Sequence, residues 1–167
     1  MNLSGRRRHA DMGFTLIELI VVIIVTGIIA TVGSRILITG FDAYTTGKDL
    51  VELEWQGGLA LERLSRDLRL VRSATSADLN ISQPDRIRFR DINANQVRYS
   101  LSGTTLMRNN QPLADDISSL DFSYLMNDGK TTAATSTSVY YIVVTLQTAR
   151  NNLGYTLRAV IHPRQFQ

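Results

Sequence analysis

Phe14–Ser34 reads FTLIELIVVIIVTGIIATVGS, 21 residues whose only charge is Glu18. As an α-helix it is about 31 Å long at ~1.5 Å per residue, roughly the hydrocarbon thickness of a bilayer. Before it lies Met1–Gly13, short, polar and basic, with the run Arg6-Arg7-Arg8. Positive charge is retained in the cytoplasm, so the chain is expected to cross N-in, C-out. Everything after about Arg35 is then extracytoplasmic. A secretory signal peptide wants a shorter apolar core followed by a small-residue cleavage site. Gly27-Ile28-Ile29-Ala30 and Ala30-Thr31-Val32 imitate one poorly. A plain membrane anchor accounts for the length and the flanking arginines but not for Glu18. A carboxylate inside a membrane helix costs roughly 2–3 kcal/mol and calls for a cationic partner.

The rest of the composition bounds the answer. With 167 residues, 44% apolar and 20% charged, and only 3 Pro, the chain suits one domain and neither a disordered nor a fibrous protein. No Cys excludes a disulfide framework and a thiolate metal site, and 2 His leave no room for a His-rich metal cluster. The net charge of +3 is mainly a property of the first thirteen residues, which hold three Arg and one Asp. Without them 15 basic residues face 14 acidic ones. A basic nucleic-acid domain keeps its excess throughout the fold, so no nucleic-acid partner is expected.

Beyond Ser34 the chain runs to Arg72 without a Pro. Leu50, Leu53, Leu61, Leu64, Leu68 and Val71 fall on one helical stripe. Glu62/Arg66 and Arg63/Asp67 are i,i+4 opposite-charge pairs assigned to the other faces, where Arg63, Arg66, Arg69 and Arg72 form a solvated face or meet acidic neighbours. Residues 14–34 and 35–72 are thus expected to form essentially one helix. Gly27, Gly33, Gly40, Gly47 and Gly57-Gly58 should kink or locally melt it, each costing up to ~1 kcal/mol relative to Ala. Gly33, Gly40 and Gly47 recur every seven residues and suggest a close-packing face. Trp55 reads as a core or interface anchor.

From Ser73 to Gln167 period-two alternation replaces helical spacing. Arg86–Arg90 and Val97–Leu101 should pair as a hairpin across Asp91–Asn95, with Ile87 and Phe89 on one face and the arginines on the other. Leu106–Arg108, Leu120–Tyr124, Val139–Thr148 and Tyr155–Ile161 are further strands, Val139–Thr148 being central because both its faces are apolar. Thr131–Ser138 reads as a mobile loop. The fold class is therefore α+β, a long N-terminal helix packed on a mainly antiparallel sheet.

No catalytic or metal site emerges. His162 stands at a strand end with no nucleophile placed beside it. Asp115, Asp116, Asp121 and Asp128 do not match an EF-hand loop. Arg86, Arg88, Arg90 and Arg98 share a sheet face, but Tyr99 is offset by the pleat, so no aromatic stacking platform accompanies them.

Gly13-Phe14-Thr15-Leu16-Ile17-Glu18, followed at once by an apolar helix and preceded by a basic leader, resembles the processing site of type IV prepilins. The resemblance implies a leader, residues 1–13, cut between Gly13 and Phe14 by a prepilin peptidase, with N-methylation of the new terminus Phe14. It also implies that Glu18, with Thr15, serves assembly, Glu18 receiving the freed amine of a neighbouring subunit. Tyr99–Arg108, Leu120–Tyr124 and Leu157–Arg164 resemble minor pilins, among them the J-class pseudopilin of type II secretion, the W-class minor type IV pilin and the O-class protein of the mannose-sensitive haemagglutinin pilus. The Cys pair of many major pilins and the Pro in their apolar helix are both missing here. The resemblance therefore implies a minor pilin or pseudopilin that initiates or caps a fibre. It implies no cofactor and no enzymatic activity, and as partners prepilin peptidase, other major and minor pilins or pseudopilins, the inner membrane and an assembly platform. The alternative is a permanently anchored periplasmic binding module.

Overall fold

The computed structural model describes residues 14–166; the expected leader, residues 1–13 with Gly13, lies outside them. One helix, α1 (Leu16–Leu68), is followed by eight strands: β1 (Leu79–Asn80), β2 (Arg86–Arg90), β3 (Gln96–Ser102), β4 (Thr105–Arg108), β5 (Gln111–Ala114), β6 (Ile117–Leu125), β7 (Tyr141–Arg150) and β8 (Leu153–Ile161). All pairings are antiparallel. They build two sheets, ordered β1-β2-β3-β4-β5 and β6-β7-β8. The chain divides into two compact units, residues 1–45 and 46–167.

In the second unit the C-terminal part of α1 packs on the sheets. Leu53, Ala60, Leu64 and Leu68 are buried, as is Val71 just beyond the helix. Each fully buried Leu contributes about 2–3 kcal/mol of transfer free energy. The stripe differs in detail from the leucine pattern: Leu50 is exposed, while Gly57, Ala60 and Asp67 face inward. Gly57 is small because the three-stranded sheet lies against it. A Cβ there would sit 2.6 Å from Leu157 Cδ1 and 2.8 Å from Thr148 Cγ2. Gly57→Val is therefore expected to destabilise this unit by about 2 kcal/mol through overpacking, read as a lowered urea midpoint. Gly58→Ala, with open space around its Cβ position, should leave that midpoint unchanged or raised. Equal midpoints for Gly57→Val and wild type would refute the close approach.

The helix ends at Leu68 rather than Arg72. Leu70 and Val71 close tight turns onto Asp67 and Leu68, after which Val71 bridges Asp91 and the Arg72 amide donates to the Arg90 carbonyl. The apolar period carries on to Val71 because that residue is buried by a β-bridge. Secondary structure is unbroken through all six helical glycines, so local melting is not observed. Tertiary packing holds Gly57, and an unbroken hydrogen-bond ladder compensates at the others.

The hairpin of β2 and β3 forms in the expected register, Ile87 opposite Tyr99 and Phe89 opposite Val97. Its turn is held by Asp91, whose Oδ1 accepts from the Asn93 and Asn95 amides. Two Asn-Asn pairs, Asn109-Asn110 and Asn151-Asn152, take positive φ at both positions and close tight hairpins. The first continues into β5, a strand hidden in the sequence by Pro112. That residue is tolerated because β5 is an edge. As expected, β7 is central between β6 and β8. The Thr131–Ser138 tract, expected to be mobile, is anchored: Ala133 and Ser136 are buried, and the Ser136 hydroxyl donates to the Leu79 carbonyl at 3.0 Å.

Candidate assembly site

The N-terminal motif begins with a helix cap. The Thr15 carbonyl and side-chain Oγ1 both accept from the Glu18 amide, at 3.1 and 3.3 Å. Thr15-Leu16-Ile17-Glu18 has the T-x-x-E spacing of a capping box, and a carboxylate in the first turn also complements the helix dipole. Glu18 thus has a local reason to stand where it does, one not visible in its hydropathy context alone. Its side chain makes no ion pair among the described residues.

From Phe14 onward the apolar side chains are exposed all round: Phe14 by 82%, Ile29 by 65% and Leu37 by 75%. The most apolar 18-residue window of α1 is wholly unburied, and the helix is long and apolar enough to cross a membrane. An apolar surface of this extent is incompatible with water as its only surroundings. Two of its hydroxyls are satisfied internally, Thr31 and Ser34 donating to the Gly27 and Ala30 carbonyls at 2.8 Å. Around Gly33, Gly40 and Gly47 nothing approaches within 4 Å of a Cβ position, leaving a smooth face open to a neighbouring helix. Phe14, Thr15 and Glu18 therefore occupy the exposed start of this helix, whereas Gly13 falls outside the described residues.

Two ionic hubs fix the second unit, and the sequence pattern identifies neither. Asp67 lies on the buried stripe, not on an outer face. Its Oδ2 accepts from the Tyr99 hydroxyl at 2.8 Å and from Arg108 Nε at 2.7 Å, while Arg63 Nε stands 3.6 Å from Oδ1. Burial, then the Asp67 carboxylate, push the Tyr99 hydroxyl pKa well up. The available signal is an acid three residues after Leu64, on the apolar stripe. Arg150 is the other hub, donating to Asp116 on the β5–β6 turn and to Glu52 of α1, both at 3.1 Å. Asp116, then Glu52, hold its guanidinium more firmly protonated than usual. Only folding brings these distant residues together.

The other candidates are dispersed or structural. Asp116 belongs to Arg150, Asp115 accepts from Thr105, and Asp128 caps its own turn through Thr131 and Lys130. The Thr131 hydroxyl first, then those backbone amides, hold the Asp128 pKa below the usual carboxylate value. No group of three or more metal-ligating side chains occurs among the described residues. His162 Nδ1 lies 2.9 Å from the Tyr140 carbonyl and its ring stacks on Tyr140 at 4.3 Å. Trp55 is not a core residue. It is 66% exposed, beside Val51 and Leu59. No family model matches the chain, and a search of curated proteins likewise finds no match.

Proposed function

We propose that this chain is a structural subunit of a type IV pilin-like fibre, made as a membrane-inserted precursor and cut between Gly13 and Phe14. The observation that carries the reading is the exposed apolar helix that opens on a Thr15 cap and holds Glu18 as its one charge as far as Ser34. Such a helix leaves the bilayer only if neighbouring helices cover it. A carboxylate in that environment is stabilised by the amine that cleavage would free at Phe14 of an adjacent subunit. In this reading Phe14 is N-methylated, and the precursor spans the inner membrane once, N-terminus cytoplasmic and residues beyond Arg35 periplasmic. The departures from major-pilin pattern favour a minor pilin or pseudopilin, which initiates or caps a pilus or type II secretion pseudopilus. Its partners are then prepilin peptidase, other major and minor subunits and an assembly platform. It carries no enzymatic role.

A second reading has its own support. The T-x-x-E spacing and the place of Glu18 in the first turn, where a carboxylate complements the helix dipole, suit an uncleaved anchor carrying a periplasmic binding module. Intact mass and N-terminal sequence of the protein recovered from membranes of a host with a prepilin peptidase separate the two. The expected product starts at N-methyl-Phe14. A chain starting at Met1 would establish the anchor, and a start beyond Ala30 would mean an ordinary signal peptide.

A further inference from the structure

The outer face of β2 and β3 carries a charge arrangement that its own contacts do not balance. Arg86, Arg88 and Arg90 alternate with buried Ile87 and Phe89, and Arg98 stands between buried Val97 and Tyr99. The register sets Arg88 directly opposite Arg98. Like charges facing each other across a sheet are unfavourable, and neither makes an ion pair among the described residues. Asp85 pairs with Arg86 at 3.1 Å, which leaves Arg88 and Arg98 unbalanced, and Asp78 Oδ2 accepts from Ser73 and Arg72 at 2.6 and 2.9 Å.

Arg86, Arg88 and Arg98 line a depression of about 310 Å³ together with Asn80, Ser82, Gln83 and Ser100. No carboxylate lines it; Ile87 completes the lining, and the Asn80 and Gln83 amides and the Ser100 hydroxyl are its neutral donors. Asn80 Oδ1 is already taken by the Ser82 amide and hydroxyl, at 3.0 and 2.5 Å, which fixes the rim. A neighbouring depression, where Arg88 and Arg90 meet Asp78, contains a carboxylate and is not equivalent. Tyr99 is turned to the core, so unstacked nucleic-acid bases would find no aromatic partner on this face.

We propose that this depression binds a phosphate-class oxyanion seated between the Arg88 and Arg98 guanidinium groups. Planar guanidinium forks suit the tetrahedral oxygens of phosphate, and a dianion removes the repulsion between the two side chains. A lipid phosphate headgroup and soluble phosphate present the same chemistry.

The test uses the full chain in zwitterionic detergent micelles at low salt, titrated with inorganic phosphate and followed by backbone amide NMR shifts. Saturable shifts confined to residues 80–100 are expected, with affinity about tenfold weaker in Arg88→Ala/Arg98→Ala, as for loss of charge-assisted hydrogen bonds. The Arg88→Lys/Arg98→Lys variant keeps the charge and should fall between, which guards against a folding defect in the alanine variant. Arg158→Ala, which removes an exposed arginine of β8, should titrate like the unaltered chain. If phosphatidic acid doped into the micelles also produces the shifts, the source is a headgroup. If inorganic phosphate alone does so, the source is soluble. No saturable response to inorganic phosphate, or equal affinity in the double alanine variant, would overturn the site. So would a response to phosphatidic acid alone, which would mean diffuse surface charge.

Discussion

With the proposed pilin-like role, Glu18→Ala is expected to reduce incorporation into fibres to below about a tenth, because breaking a buried charge pair of the kind proposed costs roughly 3–5 kcal/mol. The folded second unit should be untouched. Glu18 makes no ion pair among the described residues, and the Thr15 cap bonds its backbone amide, which Ala retains. Glu18→Gln separates charge from helix initiation. It keeps the length of the side chain and its capping ability but cannot neutralise an amine, so it should assemble as poorly as Ala. The measurement is the ratio of sheared-fibre to membrane-retained protein, with membrane insertion and leader cleavage followed in parallel. Wild-type incorporation by both variants would sink the amine-pairing role.

Asp67→Ala is expected to give the largest loss of stability in the second unit, about 3 kcal/mol, in the range for removing one partner of a buried pair. Arg108 and the Tyr99 hydroxyl would both lose their acceptor while the sheet still covers them. Arg108 is partly exposed, with 30% of its side chain accessible, so water would recover part of the loss and the value stands at the low end. Tyr99→Phe removes one neutral donor and should cost about 1 kcal/mol. Arg108→Met combined with Asp67→Leu should recover much of the stability lost in the single Asp67 variant, because the more buried Arg108 charge is removed with its partner and the half-exposed Arg63 stays solvated. Urea unfolding of these variants and the corresponding singles, read as a double-mutant cycle, gives the coupling. A cost for Asp67→Ala within about 0.5 kcal/mol, the scale of an ordinary surface substitution, would show that the hub does not stabilise the fold.

Local signals suffice for several features because their causes are local. The hairpin register follows from alternation over Arg86–Arg90 and Val97–Leu101, since a slip by one residue would turn Ile87 and Phe89 into water. The central position of β7 follows from apolar residues on both its faces. Local patterns mislead where a residue answers to something distant. Arg63 and Asp67 have the spacing of one more surface pair, yet the Asp67 partners that matter lie on β3 and β4. A polar, Thr-rich tract has the composition of a mobile loop, yet Ser136 is held by a carbonyl 57 residues earlier. Pro112 conceals β5, because a proline is acceptable only where the sheet leaves an edge.

By itself the sequence determined the apolar helix, its lone Glu18, the change from period 3.6 to period 2, and an antiparallel α+β fold. Each is a matter of which side chains recur at which spacing, and spacing is written in the chain. Only the tertiary structure decided that the strands split into two sheets and that Gly57 is where one of them closes on α1. It also decided that Asp67 and Arg150 join elements far apart in sequence. These depend on approach between segments that no local pattern encodes, and a buried charge or a missing side chain acquires its meaning only from what arrives beside it.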